Sequence, residues 1–233
     1  MKITKLKSEC EEEKIGLTVS YAILVHKSHM KEVSEIVKDI QIPSYLKRIK
    51  SINDWVYVLC TSHNHKSLSQ YDTIKVNIPH KQACTQEQYI KYREIWPCIF
   101  HKKKEELIDS FYVRKWINKL LEISVSSGYC TGGCLIVSND TLLSHTVDTD
   151  NILGHSVFSG VDSVSRSQFG YLCTGFDAFI INEPCLSCAM VFVHGRIKRV
   201  FCLNRRTDGS FSKLRFNFNK DINHRYDVFF IDL

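Results

Sequence analysis

The sequence lacks any long apolar run. No stretch approaches the roughly 20 apolar residues that a helix needs to cross a bilayer, so we expect no integral membrane protein. The first 13 residues mix lysine with glutamate and hold no apolar core of the kind that a signal peptide needs. We therefore expect no secretion, a cytoplasmic or nuclear location, and no disulfides among the ten cysteines.

The excess of positive charge is confined to the first half of the chain. Residues 1–104 hold 18 Lys and Arg against 11 Asp and Glu, whereas residues 105–233 hold 13 against 14. A basic module beside a neutral one suggests contact with a polyanion, because neutralised phosphates release counterions. A solvated lysine-rich surface explains the same charge equally well.

A small basic α+β domain is predicted over residues 1–80. Residues 17–25, 55–60 and 73–78 are apolar and β-rich, which predicts three strands. Apolar residues at helical spacing predict a helix over residues 28–40.

Residues 81–104 are polar and basic, and we interpret them as a linker that docks through Trp96 and Pro97. If the basic half binds RNA, its lysines and arginines should contact phosphates rather than read bases. The candidate RNA-binding residues are Lys47, Arg48, Lys50, Lys102, Lys103 and Lys104.

A second domain is predicted over residues 105–233. Its strand–helix–strand order favours a layered α/β fold with a right-handed crossover. The predicted elements are a helix over 105–123, a hairpin of strands 134–137 and 142–147, a strand over 176–181, a helix over 184–194 and a strand over 199–203.

The strongest chemical signal is the C-x-x-C motif Pro184-Cys185-Leu186-Ser187-Cys188 at a predicted helix start. Free amide groups and the helix dipole favour thiolate there, which is the form that binds metal. A redox pair is the alternative. Zinc is favoured, because a thioredoxin-like motif carries small or Gly/Pro residues between its cysteines and follows the first strand of its fold.

His155, thirty residues before Cys185, is the candidate third ligand. Together His155, Cys185 and Cys188 match the ligand half of the zinc-deaminase signature, H-x-E with P-C-x-x-C. The chain thus resembles the cytidine/deoxycytidylate deaminase superfamily, which implies a three-layer α/β/α zinc domain. Three protein ligands would leave the fourth tetrahedral position open.

The chain departs from the signature at Val157, which stands where the family has its glutamate. That carboxylate moves the proton between zinc-bound water and the base, which valine cannot do. A misaligned motif is the alternative explanation. Glu183 is near in sequence, but it precedes a proline at a strand end and is interpreted as structural.

A deaminase with H-x-V resembles the non-catalytic subunit of the eukaryotic tRNA adenosine deaminase. The resemblance implies a heterodimer with a glutamate-bearing catalytic subunit, which converts the wobble adenosine of the tRNA anticodon to inosine. Further segments resemble that subunit: residues 85–89 with Trp96-Pro97, residues 173–177, residues 183–185 with Ala189-Met190, residues 194–197 and residues 223–226.

The helix after the cysteines is apolar all round over residues 189–193, so we expect it to be covered on two sides. A sheet can cover one side and a partner subunit the other, although burial in a three-layer monomer explains the pattern too. Two other functions stay open: a self-sufficient deaminase with another general base, and a free-standing RNA-binding protein with a relic deaminase fold.

The chain ends in the apolar segment 229–233, which carries carboxylates. One hypothesis folds this tail over the metal, with Asp232 or the terminal carboxylate approaching it. The alternative is a final strand or a frayed end.

Overall fold

The computed structural model describes residues 1–38, 40–60, 71–101, 106–124, 130–167 and 172–233. It divides into two compact units. The N-terminal unit is Glu9–Glu105, and the C-terminal unit combines Met1–Ser8 with Glu106–Leu233. In the part that is described, no helix is both long and apolar enough to span a membrane.

The boundary expected at residue 80 is corrected in this structure, whereas the one expected at residue 104 moves by a single residue. The first strand, β1 (Lys2–Lys5), belongs to the C-terminal unit, where it pairs with residues 229–232. Residues 81–104, expected to be a separate linker, belong to the N-terminal unit. Both segments are largely polar, because short edge strands and exposed helices bury few side chains. Their sequences therefore did not indicate the unit to which each belongs.

The N-terminal unit is built on a four-stranded antiparallel sheet with strand order β3-β4-β2-β5. Helix α2 (Met30–Ile36) packs on the sheet through Val33. The helix predicted over 28–40 is thus shorter than expected, and a 3₁₀ turn over Lys27–His29 precedes it. The elements in chain order are α1 (Glu9–Glu12), β2 (Leu17–His26), α2 (Met30–Ile36), β3 (Ile49–Ile52), β4 (Trp55–Cys60), β5 (Thr73–Pro79) and α3 (Gln86–Ile95).

The segment expected to be a linker contains helix α3, which begins with a capping box. The Thr85 hydroxyl accepts the backbone N–H of Gln88, and the Gln88 side chain accepts the N–H of Thr85. After the helix, Trp96 is buried and its indole N–H donates to the Lys47 carbonyl at 2.7 Å. Trp96 therefore anchors this segment within its own unit.

A disulfide between Cys10 and Cys84 corrects the expectation that the chain has none. The Gln88 side chain accepts the N–H of Cys84 and donates to the Cys10 carbonyl at 3.0 Å. These bonds hold the two segments together, with 6.3 Å between the two Cα atoms, a separation that a disulfide spans. The contact joins residues 74 positions apart, so no local pattern could indicate it.

The C-terminal unit is built on a six-stranded sheet with strand order β1-β10-β9-β8-β6-β7. Strands β8, β9 and β10 are parallel, and β6 is antiparallel to both of its neighbours. The elements are α4 (Ser110–Ile123), β6 (Gly133–Ser138), β7 (Thr141–Val147), α5 (Ser156–Ser165), β8 (Asp177–Asn182), α6 (Leu186–His194), β9 (Arg199–Asn204) and β10 (Asp227–Asp232).

Helices cover both faces of this sheet. Phe179, Phe201 and Phe229 point to one face and pack in a cluster with the buried side of α4. The next residue of each strand points the other way, toward the buried side chains of α5 and α6, because side chains alternate along a strand. The predicted three-layer α/β/α arrangement is confirmed.

Candidate metal centre

His155 is placed by a short loop between β7 and α5. The loop closes tightly at Gly154, where a Cβ atom would lie 1.7 Å from the Thr149 hydroxyl oxygen. His155 is the N-cap residue of α5, and its Nε2 lies 3.0 Å from the Ile152 carbonyl oxygen. Since a carbonyl only accepts, Nε2 carries the proton and Nδ1 keeps its lone pair for a metal.

The sulfurs of the two cysteines in the C-x-x-C motif lie close to His155 Nδ1. Cys185 is the N-cap residue of α6 and Cys188 lies in its first turn. Their sulfurs are 3.6 Å and 3.2 Å from His155 Nδ1, respectively. Two helices thus begin at the cluster, and the positive ends of their dipoles favour thiolate there. The three predicted ligands come together as the sequence indicated.

A fourth ligand atom, which the sequence analysis missed, belongs to Cys130. Its sulfur lies 3.7 Å from the Cys188 sulfur and accepts the backbone N–H of Cys185 at 3.2 Å. The ligand atoms of Cys130, His155, Cys185 and Cys188 all lie within 4.8 Å of one another. Cys130 lies in a loop 55 residues before Cys185 in the sequence. Its position just before β6 was the only sequence signal that it could lie near the other ligands.

The buried carboxylate of Asp148 joins the two segments that carry Cys130 and His155. It accepts the N–H groups of Cys130 at 2.8 Å and Gly132 at 2.9 Å, and on the other side the N–H of Ser156 at 2.8 Å. Burial raises the pKa of Asp148, but the hydrogen bonds from these amides outweigh it and leave the pKa below its usual value. Asp148 is therefore a carboxylate that orders the site.

The sulfurs of Cys130 and Cys188 lie within hydrogen-bonding distance of each other, 3.7 Å apart. The hydrogen bond between these two sulfurs lowers the pKa of Cys130, against the effect of burial, and the Cys185 amide lowers it further. The same hydrogen bond, together with burial, raises the pKa of Cys188. The thiolate form of Cys130 is therefore favoured. A cluster that contains a thiolate binds a cation better than one with only neutral thiols.

Val157 lies in the first turn of α5, two residues after His155, and its side chain is fully buried in the core. It offers no group that could carry a proton. Glu183, the nearby carboxylate in the sequence, is also fully buried and accepts the backbone N–H groups of Arg206 at 3.0 Å and Phe211 at 2.6 Å. Its interpretation as a structural residue is confirmed.

The hypothesis that the C-terminal tail reaches the metal is wrong. Asp232 is the last residue of β10 and pairs with Lys2 on β1. The cluster of possible ligands holds Cys130 and does not include Asp232, and the tail forms strand β10, the alternative given above.

The candidate RNA-binding residues fall into three groups. Lys47 is exposed, whereas Arg48 donates to the Ile40 carbonyl at 2.6 Å and Lys50 donates to the Ile95 carbonyl at 2.6 Å. The last two cations therefore satisfy backbone groups of their own unit. Residues 102–104 lie outside the described part of the chain.

The C-terminal unit combines a three-layer α/β/α fold with a His/Cys cluster that could hold a metal, an arrangement that resembles the zinc-deaminase class. The sequence relatives are inactive tRNA deaminase-like proteins and tRNA deaminase subunits. The chain is 29% identical over 205 residues to the "probable inactive tRNA-specific adenosine deaminase-like protein 3" of Danio rerio, covering 68% of this chain and 61% of the relative. It is 24% identical over 178 residues to the "tRNA-specific adenosine deaminase subunit tad3" of Schizosaccharomyces pombe, covering 64% and 56%. The predicted resemblance to the inactive tRNA adenosine deaminase-like proteins is confirmed.

The chain is also similar to a bacterial protein and to a solved structure. The "tRNA-specific adenosine deaminase" of Rickettsia bellii is 26% identical over 119 residues, which cover 48% of this chain and 82% of the relative. A solved structure from studies of A-to-I editing by tRNA:A34 deaminases has a TM-score of 0.40 and 18% identity, covering 42% of this chain and 81% of that chain. No family model matches. The chain spans about three fifths of the length of the relatives from Danio rerio and Homo sapiens.

Proposed function

We propose that this chain is the non-catalytic subunit of a tRNA adenosine deaminase, which converts the wobble adenosine of the anticodon to inosine. The observation that carries the proposal is the buried Val157 at the position of the catalytic glutamate, beside an ordered ligand cluster. Losing a positioned general acid/base costs on the order of 100- to 10,000-fold in rate. The word "inactive" in the names of several relatives supports the same conclusion.

The metal expected at the cluster is zinc, held by His155, Cys185 and Cys188. Imidazole nitrogen and thiolate sulfur are the ligands that zinc prefers, and the free Nδ1 of His155 faces both sulfurs. In an active deaminase the ion lowers the pKa of a bound water. In this chain its role is structural, because it ties the starts of α5 and α6 together.

A self-sufficient deaminase would need another general base at this site. The two buried carboxylates nearest the cluster in the chain are Asp148 and Glu183, and both are committed to backbone amides. Releasing either would leave several buried N–H groups unpaired, at a cost of about 1–3 kcal/mol each. This observation argues against the self-sufficient alternative.

A catalytic partner subunit can dock beside the cluster. Ala189, Phe192 and Val193 of α6 are buried against the sheet, whereas Leu186 and Met190 remain exposed on the same helix. Leu153, in the loop that carries His155, is exposed as well. An exposed apolar surface of this kind is typical of a protein interface, and the subunit names of the relatives support a deaminase partner.

Transfer RNA is the proposed polyanion for the basic N-terminal unit, and the exposed Lys47 is the described candidate that can contact a phosphate. Lys102, Lys103 and Lys104 remain candidates on the basis of the sequence. Arg48 and Lys50 contribute through the fold of that unit. A tRNA-modifying role is compatible with the expected cytoplasmic or nuclear location.

The partner surface is tested by combining the purified chain with a glutamate-bearing homologous subunit. We expect a one-to-one complex, and we expect the partner to form inosine only when the chain is present. Met190→Asp should weaken the complex at least tenfold, whereas Asp162→Lys, on an exposed part of α5, is the matched control. Full partner activity without the chain would contradict the proposal.

A further inference from the structure

We infer that the Cys130 sulfur takes the fourth coordination position, so that the metal centre is a closed Cys₃His site with no place for a water ligand. The inference rests on the proposed metal site and extends it. An active deaminase needs the open position for its water. This chain would therefore lack the water site at the metal as well as the general acid/base at Val157.

Three of the six distances between the ligand atoms are close to those of a tetrahedral site, and all six are within 4.8 Å. With metal–sulfur bonds of about 2.3 Å and a metal–nitrogen bond of about 2.0 Å, neighbouring sulfurs lie about 3.8 Å apart and sulfur and nitrogen about 3.5 Å apart. The Cys130–Cys188 sulfur distance is 3.7 Å, and the distances from His155 Nδ1 to Cys185 and Cys188 are 3.6 Å and 3.2 Å. A metal can therefore bond all four atoms with small side-chain shifts.

The backbone holds Cys130 in this place independently of any metal. Asp148 accepts the N–H of Cys130 itself and of Gly132, which adopts a left-handed φ of 75° that glycine takes at little cost. The same carboxylate accepts the N–H of Ser156, next to the ligand His155. Cys130 thus reaches the cluster from the loop before β6, whereas the other three ligands come from the starts of α5 and α6.

Three thiolates around a divalent cation leave one negative charge, which the protein must stabilise. The Cys185 amide donates to the Cys130 sulfur, and α5 and α6 both begin at the cluster with their positive dipole ends. A buried site with this charge resembles closed structural zinc sites, in which thiolates and imidazoles fill all four positions.

The deciding experiment is zinc X-ray absorption on the purified full-length protein, with elemental analysis of the same sample. We expect about one zinc per chain, bound by three sulfurs at about 2.3 Å and one nitrogen. One zinc with two sulfurs and two light atoms would overturn the closed site while leaving the proposed structural zinc intact. Absence of zinc after reconstitution would overturn both.

Cys130→Ser supplies a second, independent test. The sulfur count should fall from three to two, and azide should then perturb the visible spectrum of the cobalt-loaded protein, which it should not do in the wild type. Cys173→Ser, a buried thiol of the same unit outside the cluster, is the matched control and should keep three sulfurs. Azide binding to the wild-type cobalt protein would contradict the closed site, even if the Cys130 variant fails to fold.

Discussion

Single residues decide how well the ligand cluster is ordered, and Asp148 does so without being one of the possible ligands. Its carboxylate spans the N–H groups beside two ligands that come from different segments. The hydrogen bonds are charge-assisted, and their loss leaves buried amides without acceptors.

Asp148→Asn should lower zinc affinity by about 10- to 100-fold, because the amide nitrogen cannot accept the N–H groups that the second carboxylate oxygen binds. Competition with a chromogenic chelator measures the change. Asp162→Asn, an exposed carboxylate paired with Arg166, should leave the affinity unchanged. Equal zinc affinity in the Asp148 variant and the wild type would show that this carboxylate does not order the site.

The structural role of Glu183 can be tested at Gly209, which leaves room for its carboxylate. A Cβ atom at Gly209 would lie 2.0 Å from the Glu183 carboxyl carbon, so Gly209→Ala must displace a buried charge from its hydrogen bonds. We expect a loss of about 1–3 kcal/mol in unfolding free energy, measured by chemical denaturation. Gly16→Ala, with open space at its Cβ, is the control. Equal losses in the two variants would contradict the role given to Glu183.

At the scale of elements, the disulfide between Cys10 and Cys84 ties the start of the N-terminal unit to the segment before α3. It closes a loop with a sequence separation of 74, and a cross-link of that kind restricts the unfolded chain.

Cys84→Ser should lower the unfolding free energy of this unit by about 2–4 kcal/mol. The control is chemical reduction: a reductant should destabilise the wild type to the level of the variant and leave the variant unchanged. Wild-type protein that unfolds identically with and without reductant would show that the bond does not stabilise the unit.

The elements that the sequence predicted are those with a strong local pattern. β2, β4 and β5 and the strands around the C-x-x-C motif are apolar enough to be recognised, and so is the amphipathic α4, whose start moves to Ser110 because Asp109 caps it. Strands β1 and β3 have four residues each and are exposed or half-buried. Their sequences therefore show no alternation of apolar and polar residues that would predict a strand. Cys130 and the disulfide depend on contacts between distant segments, which no local spacing reveals.

At the scale of the whole molecule, the charge of the N-terminal unit bears on tRNA binding. Lys47 is exposed and near the internally bonded Arg48 and Lys50, so it is the described cation among the candidates that is available for a phosphate.

Lys47→Glu should weaken tRNA binding by the complex and reduce the slope of log affinity against log salt by about 1, because one phosphate contact is lost. Filter binding over a salt series measures both. Lys220→Glu makes the same charge change at an exposed site of the other unit and should have a smaller effect. Affinity that does not depend on salt would exclude the phosphate-contact role.

The central claim is that this chain supports deamination without performing it, and single-turnover inosine formation on tRNA tests it most directly. Two reactions use the chain alone and the complex with its glutamate-bearing partner. A third uses a complex in which the partner's glutamate is replaced by glutamine. The fourth uses that same inactivated complex with Val157→Glu introduced in this chain. We expect inosine only from the complex with an intact partner, because Val157 leaves no proton carrier and, in the proposed closed site, Cys130 fills the position of the water. Inosine formed by the chain alone, or by the complex after the partner's glutamate is replaced, would place the chemistry on this protein and contradict the account.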